Sequence, residues 1–253
     1  MQNNRDDMQN KYDDKSFFDY YVDMRESGNN ANTLIEIPTI KTLIPDLKGK
    51  RVLDLGCGMG EMCKYYKTLG AEYVLGIDIS TNMIDYANAH NKESGIEYLV
   101  LPLERLYKLK DKFDVVISSL AFHYVADFDA LVKDIKTVMN PGAVLIFSTE
   151  HPMATCLQLP KDGHIEKKIE IDGERYYLIK DYNRPGKRVM IWNDEEVVKY
   201  HRNFETFING LVSNGYFIDK LLEPVATEKA ISIIPKYRYQ YDRPYFLVIK
   251  CHI

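Results

Sequence analysis

The chain has 253 residues, 28% of them charged, with a formal net charge of -4 and a pI near 5.9. Charges of both signs are interspersed, which excludes the basic footprint of a nucleic-acid or membrane-surface binder and leaves a small-molecule substrate as the expected partner. The length suits one domain, as a monomer or homodimer, and the four cysteines form no C-x-x-C pair and have no histidine at metal spacing, so no metal site is expected.

The first 15 residues are polar and end no apolar leader, and no stretch approaches the roughly 18 apolar residues of a membrane span, so a cytoplasmic protein is expected. From Ser16 an aromatic helical segment carries Phe17, Phe18, Tyr20 and Tyr21 and turns at Asn29-Asn30. A second helix from about Asn32 presents Leu34, Ile35, Ile37, Ile40, Leu43 and Ile44, with Pro38 as its start or a kink. Together, residues 1–48 read as an N-terminal helical cap.

Strand and helix then alternate. Short runs rich in Val, Ile, Leu and aromatics at 51–55, 73–77, 96–101, 113–118 and 142–148 read as strands, and 60–69, 80–90 and 128–138 as helices, with Ser80 as an N-cap. Such alternation predicts a parallel sheet covered on both faces, with ligands held at the carboxyl ends of its strands. The rhythm breaks after residue 152. Alternation over 164–171, turns at Asp172-Gly173 and 183–186, and a run at 175–179 predict a β-rich insertion, 153–195, folded as a lid over the ligand face. A helix over about 197–213 and strands at 216–222 and 245–251 complete the chain as residues 196–253.

The most informative stretch is Val52-Leu-Asp-Leu-Gly-Cys-Gly-Met-Gly60, followed by Asp78 at the end of the second strand. Glycines let a backbone approach a nucleoside closely, and the later carboxylate can accept both ribose hydroxyls. A dinucleotide fingerprint needs G-x-G-x-x-G, but Glu61 stands where the third glycine would fall. Carboxylates at Asp54 and Glu61 would repel a pyrophosphate and suit a ligand carrying an ammonium and a sulfonium, which is S-adenosylmethionine. The segment resembles the glycine loop of class I S-adenosylmethionine-dependent methyltransferases, in their small-molecule branch of the methyltransferase type 11 kind.

The resemblance implies an α/β, Rossmann-like, seven-stranded and mostly parallel sheet with helices on both faces and the last strand antiparallel, its cofactor core at 49–152. It implies that Asp54, Gly56, Cys57, Gly58, Gly60 and Asp78 hold the cofactor. Ile79 and Met83 follow on the ribose and adenine side. The family's acidic residue after the third strand is replaced by Pro102, so Leu103 takes the backbone-donor place and Glu104 stands as the nearest carboxylate. Ser118 and Ser119, after the fourth strand, fall where the family flanks the methionine part. His123, Glu150 and His151 also follow strands of the sheet and are the candidate catalytic groups, with His201-Arg202 and the run 237–244 able to close over them. Two other readings stand beside a methyltransferase: a nicotinamide-dependent oxidoreductase, and a binding protein that keeps the cofactor pocket without catalysis.

Overall fold

A computed structural model describes residues 10–157, 168–192 and 195–253. The N-terminal region forms α1 (Lys15–Glu26), a π-helical turn at Asn32–Glu36 and α2 (Ile37–Leu43), with Pro38 in the first turn of α2, where its missing N–H costs no helical bond. The alternating core follows as β1 (Arg51–Leu55), α3 (Glu61–Thr68), β2 (Tyr73–Asp78), α4 (Thr81–His90), β3 (Ile96–Val100), β4 (Phe113–Ser118), α5 (Phe128–Thr137) and β5 (Met139–Glu150). Ser80 caps α4 through its side chain, which accepts from the Met83 N–H. Phe128, Leu131, Val132 and Ile135, spaced at helical intervals, give α5 one buried face.

Beyond β5 come α6 (Pro152–Thr155), the hairpin β6 (Lys168–Ile171) and β7 (Glu174–Tyr177), the hairpin β8 (Gly186–Trp192) and β9 (Glu195–His201), α7 (Phe204–Ser213), β10 (Phe217–Leu222), α8 (Glu228–Ile233) and β11 (Phe246–His252). The helix expected over 197–213 is corrected: its first part is strand β9. Val197, Lys199 and His201 are buried at a period of two, and helix begins only after Asn203, whose side chain caps Thr206. The expected alternation at 164–171 is described only from Lys168; its first four residues lie outside the described residues.

Seven strands form one sheet in the order β10-β11-β5-β4-β1-β2-β3. β1 to β5 run parallel, and β11 lies antiparallel between β5 and β10. Strand alternation divides the core between the two faces. Leu53 and Leu55 point towards α5 and α7 with Phe128, Leu131 and Phe207, while Val52 points to the opposite face with Ile40, Leu43 and Tyr66 of α2 and α3. The chain runs outward from β1 to β3 and returns to β4 on the other side of β1, so the carboxyl ends of β1 and β4 mark a topological switch point, where open α/β sheets hold ligands. Among the described residues no helix is long and apolar enough to cross a membrane.

Candidate functional site

Backbone hydrogen bonds fix the loop after β1. The N–H groups of Gly56 and Cys57 both donate to the Ile77 carbonyl, at 2.8 and 2.9 Å. All three loop glycines have positive φ, but for different reasons. A Cβ on Gly56 would stand 2.5 Å from the Ala121 Cβ, and one on Gly60 2.4 Å from the Tyr98 hydroxyl, so both are packing glycines. A Cβ on Gly58 would meet nothing nearer than the Met83 sulfur at 4.0 Å. Gly58 is therefore the glycine whose empty side belongs to the cavity. Its N–H donates to Asp78 Oδ2 at 2.9 Å, and the Ser80 N–H donates to Oδ1 at 2.9 Å. Each carboxylate oxygen thus spends one lone pair on backbone and keeps another for a ligand.

A cavity of about 500 Å³ opens above this loop. From β1 and its loop Asp54, Gly56, Cys57 and Gly58 reach it; from the β2 end and α4 come Asp78, Ile79 and Met83. Leu103 and Glu104, in a 3-10 turn opened by Pro102, close the side beyond β3, and Ser119, His123 and Glu150 enter from the ends of β4 and β5. Asp54 is buried, its carboxylate bonded by the Cys63 thiol at 3.4 Å, and burial pushes its pKa up to about 7. Burial raises Asp78 as well.

Three expected site residues are not in the cavity lining. Gly60 caps the start of α3 against Tyr98. Ser118 is fully buried and donates to the Leu55 carbonyl at 2.8 Å, bracing β4 against β1. His151, expected beside the reacting atoms, is also fully buried: the chain turns at Pro152, so its Nδ1 accepts the Met153 N–H at 3.1 Å as the cap of α6 and its Nε2 meets Glu223 at 2.7 Å. Both ring nitrogens thus have hydrogen-bond partners within the protein. His123 does face the cavity, but burial pushes its pKa down to about 3, and its Nδ1 accepts the Glu150 N–H at 3.5 Å. It is a neutral ring with its proton on Nε2, a donor and a weak base.

The other wall comes from residues that sequence reading passed over. Tyr12, Tyr21 and Arg25 of the N-terminal segment and Met190, Ile191 and Trp192 of β8 roof the cavity. Trp192 packs edge-on against Phe17 at 5.3 Å, joining the two parts of the roof. Asp13 ties it to α4, accepting from Ser80 Oγ at 2.6 Å and the Asn82 N–H at 3.1 Å. Lys199 of β9 is buried and pairs with Glu150 at 2.5 Å; burial opposes its charge, but Glu150 and Tyr124 outweigh it and raise the pKa. Arg25 pairs with Glu61. Among the described residues of the expected lid, β8 covers the cavity, while the β6–β7 hairpin sets Arg175 over the Tyr239 ring at 3.7 Å, away from the lining.

Behind the lining lies Glu36, on the π-helical turn and fully buried. It accepts from Ser119 Oγ at 2.9 Å, from Asn32 Nδ2 at 2.5 Å and from Ser148 Oγ. Ser148 Oγ also receives the N–H of Leu120, a residue with φ of +54° that lines the cavity.

Residues 53–147 match the methyltransferase domain family. A Haemophilus influenzae protein is 35% identical over 224 residues, covering 86% of this chain and 87% of its own. The crystal structure of an S-adenosylmethionine dependent methyltransferase from Mesorhizobium loti superposes with a TM-score of 0.78 at 33% identity, over 88% of this chain and 98% of that one. A ubiquinone biosynthesis O-methyltransferase from Brucella anthropi is 37% identical over 103 residues, 40% of this chain and 41% of that enzyme.

Proposed function

This chain belongs to the S-adenosylmethionine-dependent methyltransferases, and we propose that it methylates a small-molecule acceptor held between the glycine loop and the roof of α1 and β8. The observation that carries this reading is the cavity itself: about 500 Å³, within the range of small-molecule sites, walled by the loop on one side and by Tyr21, Tyr124 and Trp192 on the other. The Brucella relative's part in ubiquinone biosynthesis supports a small acceptor. The four cysteines are unpaired thiols, which fits a reducing compartment such as the cytoplasm.

The residues present fit the cofactor. Gly58 leaves its Cβ side empty, Asp78 keeps a free lone pair on each oxygen, and the unpaired carboxylates of Asp54 and Asp78 favour a ligand bearing positive charge. In this reading Asp78 takes the ribose hydroxyls, Ile79, Met83 and Leu103 enclose the purine with Glu104 beside it, and Asp54, Cys57 and Ser119 lie along the remaining part. When bound, the cofactor supplies an electrophilic methyl group on a sulfonium. The protein's task is then to align a nucleophile with that methyl and exclude water, and the aromatic roof does both. His123, through its Nε2–H, and the Glu150–Lys199 pair are placed to orient the acceptor; Glu150 is the proton acceptor of the set when the nucleophile carries a proton. A methyl-transfer assay against a panel of phenols, amines, carboxylates and activated carbon acids, read by mass spectrometry, tests this. Turnover of at least one class with loss on Glu150→Gln is expected; a protein that binds the cofactor and methylates no member of the panel would contradict it.

A further inference from the structure

Glu36 is a fully buried carboxyl behind the cavity wall. A buried charge is costly unless a cation or a full set of donors compensates it, yet its three donors are neutral, and among the described residues no cation pairs with it. Two of those donors, Asn32 and Ser119, form part of the cavity wall. The Asn32 Oδ1 is buried with no hydrogen-bond partner, an acceptor still waiting for a donor. The charged groups that face Glu36 are Arg25 of α1 and Asp54 of β1, with Tyr66 of α3 behind them.

Sheet order says what lies at this end. β4, β1 and β2 are neighbours spaced by about 4.8 Å, so Ser119, just past β4, stands about 10 Å across the sheet from Asp78. A nucleoside whose ribose sits on Asp78 passes its sulfur over the β1 loop and brings its aminobutyrate tail to Ser119 and Asn32. That tail ends in a carboxylate and an α-ammonium group. Arg25 stands on this wall in a pair with Glu61, Asp54 lines the cavity beside it, and Asn32 Oδ1 still needs an N–H donor.

We infer that Glu36 is the counter-charge for the cofactor's α-ammonium group, a positioning residue acting through Asn32 and Ser119. This rests on reading the cavity as the cofactor site. Burial holds Glu36 up to about 7 against the pull of Ser148, Ser119 and Arg25, so part of the population carries a proton at neutral pH. An arriving ammonium favours the carboxylate, and the proton leaves to the buffer. Binding of a ligand with the amino-acid tail therefore strengthens as pH rises from about 6 to 8 and levels off above.

Isothermal titration in phosphate and in Tris at pH 7, with S-adenosylhomocysteine and with 5′-methylthioadenosine, which lacks the tail, reads both the affinity and the proton count. The tailed ligand should release more protons than the tailless one, because a group near 7 is partly protonated at that pH. Asp54 also stands near 7 and feels the charge of Glu36, so the Glu36→Gln variant, and not the ligand comparison alone, assigns the proton to Glu36. In Glu36→Gln, S-adenosylhomocysteine should bind at least tenfold more weakly with the extra proton gone, while 5′-methylthioadenosine stays within twofold of wild type. A purely structural role, holding Leu120 through Ser148, would weaken both ligands alike and overturn the inference. So would a tail preference as large as the wild type's, or survival of the proton difference. Should Glu36→Gln fail to fold, Ser119→Ala, which keeps the Ser148 and Asn32 bonds, should give the same selective loss, and an unchanged ligand ratio there overturns the inference. Failure of the wild-type protein to bind either ligand would overturn the site assignment together with this inference.

Discussion

Replacing Asp78 by Ala removes two kinds of bond at once, and their separate readouts test the site. Asp78 is 9% exposed, and its two oxygens accept the Gly58 and Ser80 N–H groups at 2.9 Å each. Loss of the carboxylate leaves these donors short of a partner in a buried loop, costing about 1–3 kcal/mol of stability, or a few degrees of melting temperature in a chain of this size. The same change removes charge-assisted bonds to two ribose hydroxyls, each about 1.5–3 kcal/mol before water compensates, so S-adenosylhomocysteine should bind at least tenfold more weakly. Asp78→Asn keeps one accepting oxygen for the backbone and should recover part of the melting temperature while the affinity stays low. Differential scanning fluorimetry and titration calorimetry on the same preparations separate the effects. A folded Asp78→Ala protein with wild-type affinity would refute the ribose assignment.

The loop glycines should respond differently: Gly60→Ala, facing the Tyr98 hydroxyl, should lower the melting temperature, whereas Gly58→Ala should pay only its backbone strain, about 1–2 kcal/mol, and lose cofactor affinity more than tenfold in calorimetry. His151→Ala should lose about 1–3 kcal/mol of stability with S-adenosylhomocysteine affinity within twofold of wild type, because its partners are Met153 and Glu223; thermal melts paired with calorimetry check this. Burial holds Glu36 and Asp54 near 7 in the folded chain, against ordinary values of 4.5 and 3.8, so the folded state binds protons the unfolded chain has released, and that stability is lost as pH rises through 7. His123, lowered from 6.5 to about 3, contributes stability above 6.5 that is lost as pH falls below it. Between about pH 4.5 and 6.5 the two carboxyls lose more stability than His123 gains, so these groups make the ligand-free melting temperature fall from about pH 4.5 to 7 and level off by about pH 8, and Asp54→Asn should flatten that fall.

The parts of the site legible in the sequence were those whose signal is local. The glycine loop and Asp78 lie within one strand-helix-strand unit, and the runs at Arg51–Leu55 and Phe113–Ser118 are strands at those bounds because parallel strands, buried on both faces, are continuous apolar segments. Val197 to Ser213 misled because an apolar strand and an apolar helix adjoin there, and the sign of the break was the capping residue Asn203. His151 misled because the end of a strand says where a backbone arrives and not which way the next side chain turns; Pro152 turned it under α6. Tyr12, Tyr21, Arg25, Trp192 and Lys199 carried no motif, since their meeting depends on α1 and the β8–β9 hairpin folding over the sheet from distant parts of the chain. The alternating burial that places Lys199 on the inner face of β9 is visible only in the fold.

A crystal structure of the protein with S-adenosylhomocysteine tests the central claim most directly. The ribose hydroxyls are expected at hydrogen-bond distance, about 2.5–3.0 Å, from both Asp78 oxygens, the sulfur over Gly58, and the tail pointing past Ser119 beneath Trp192. A ligand seated outside this cavity, or inside it with the ribose away from Asp78, would contradict it.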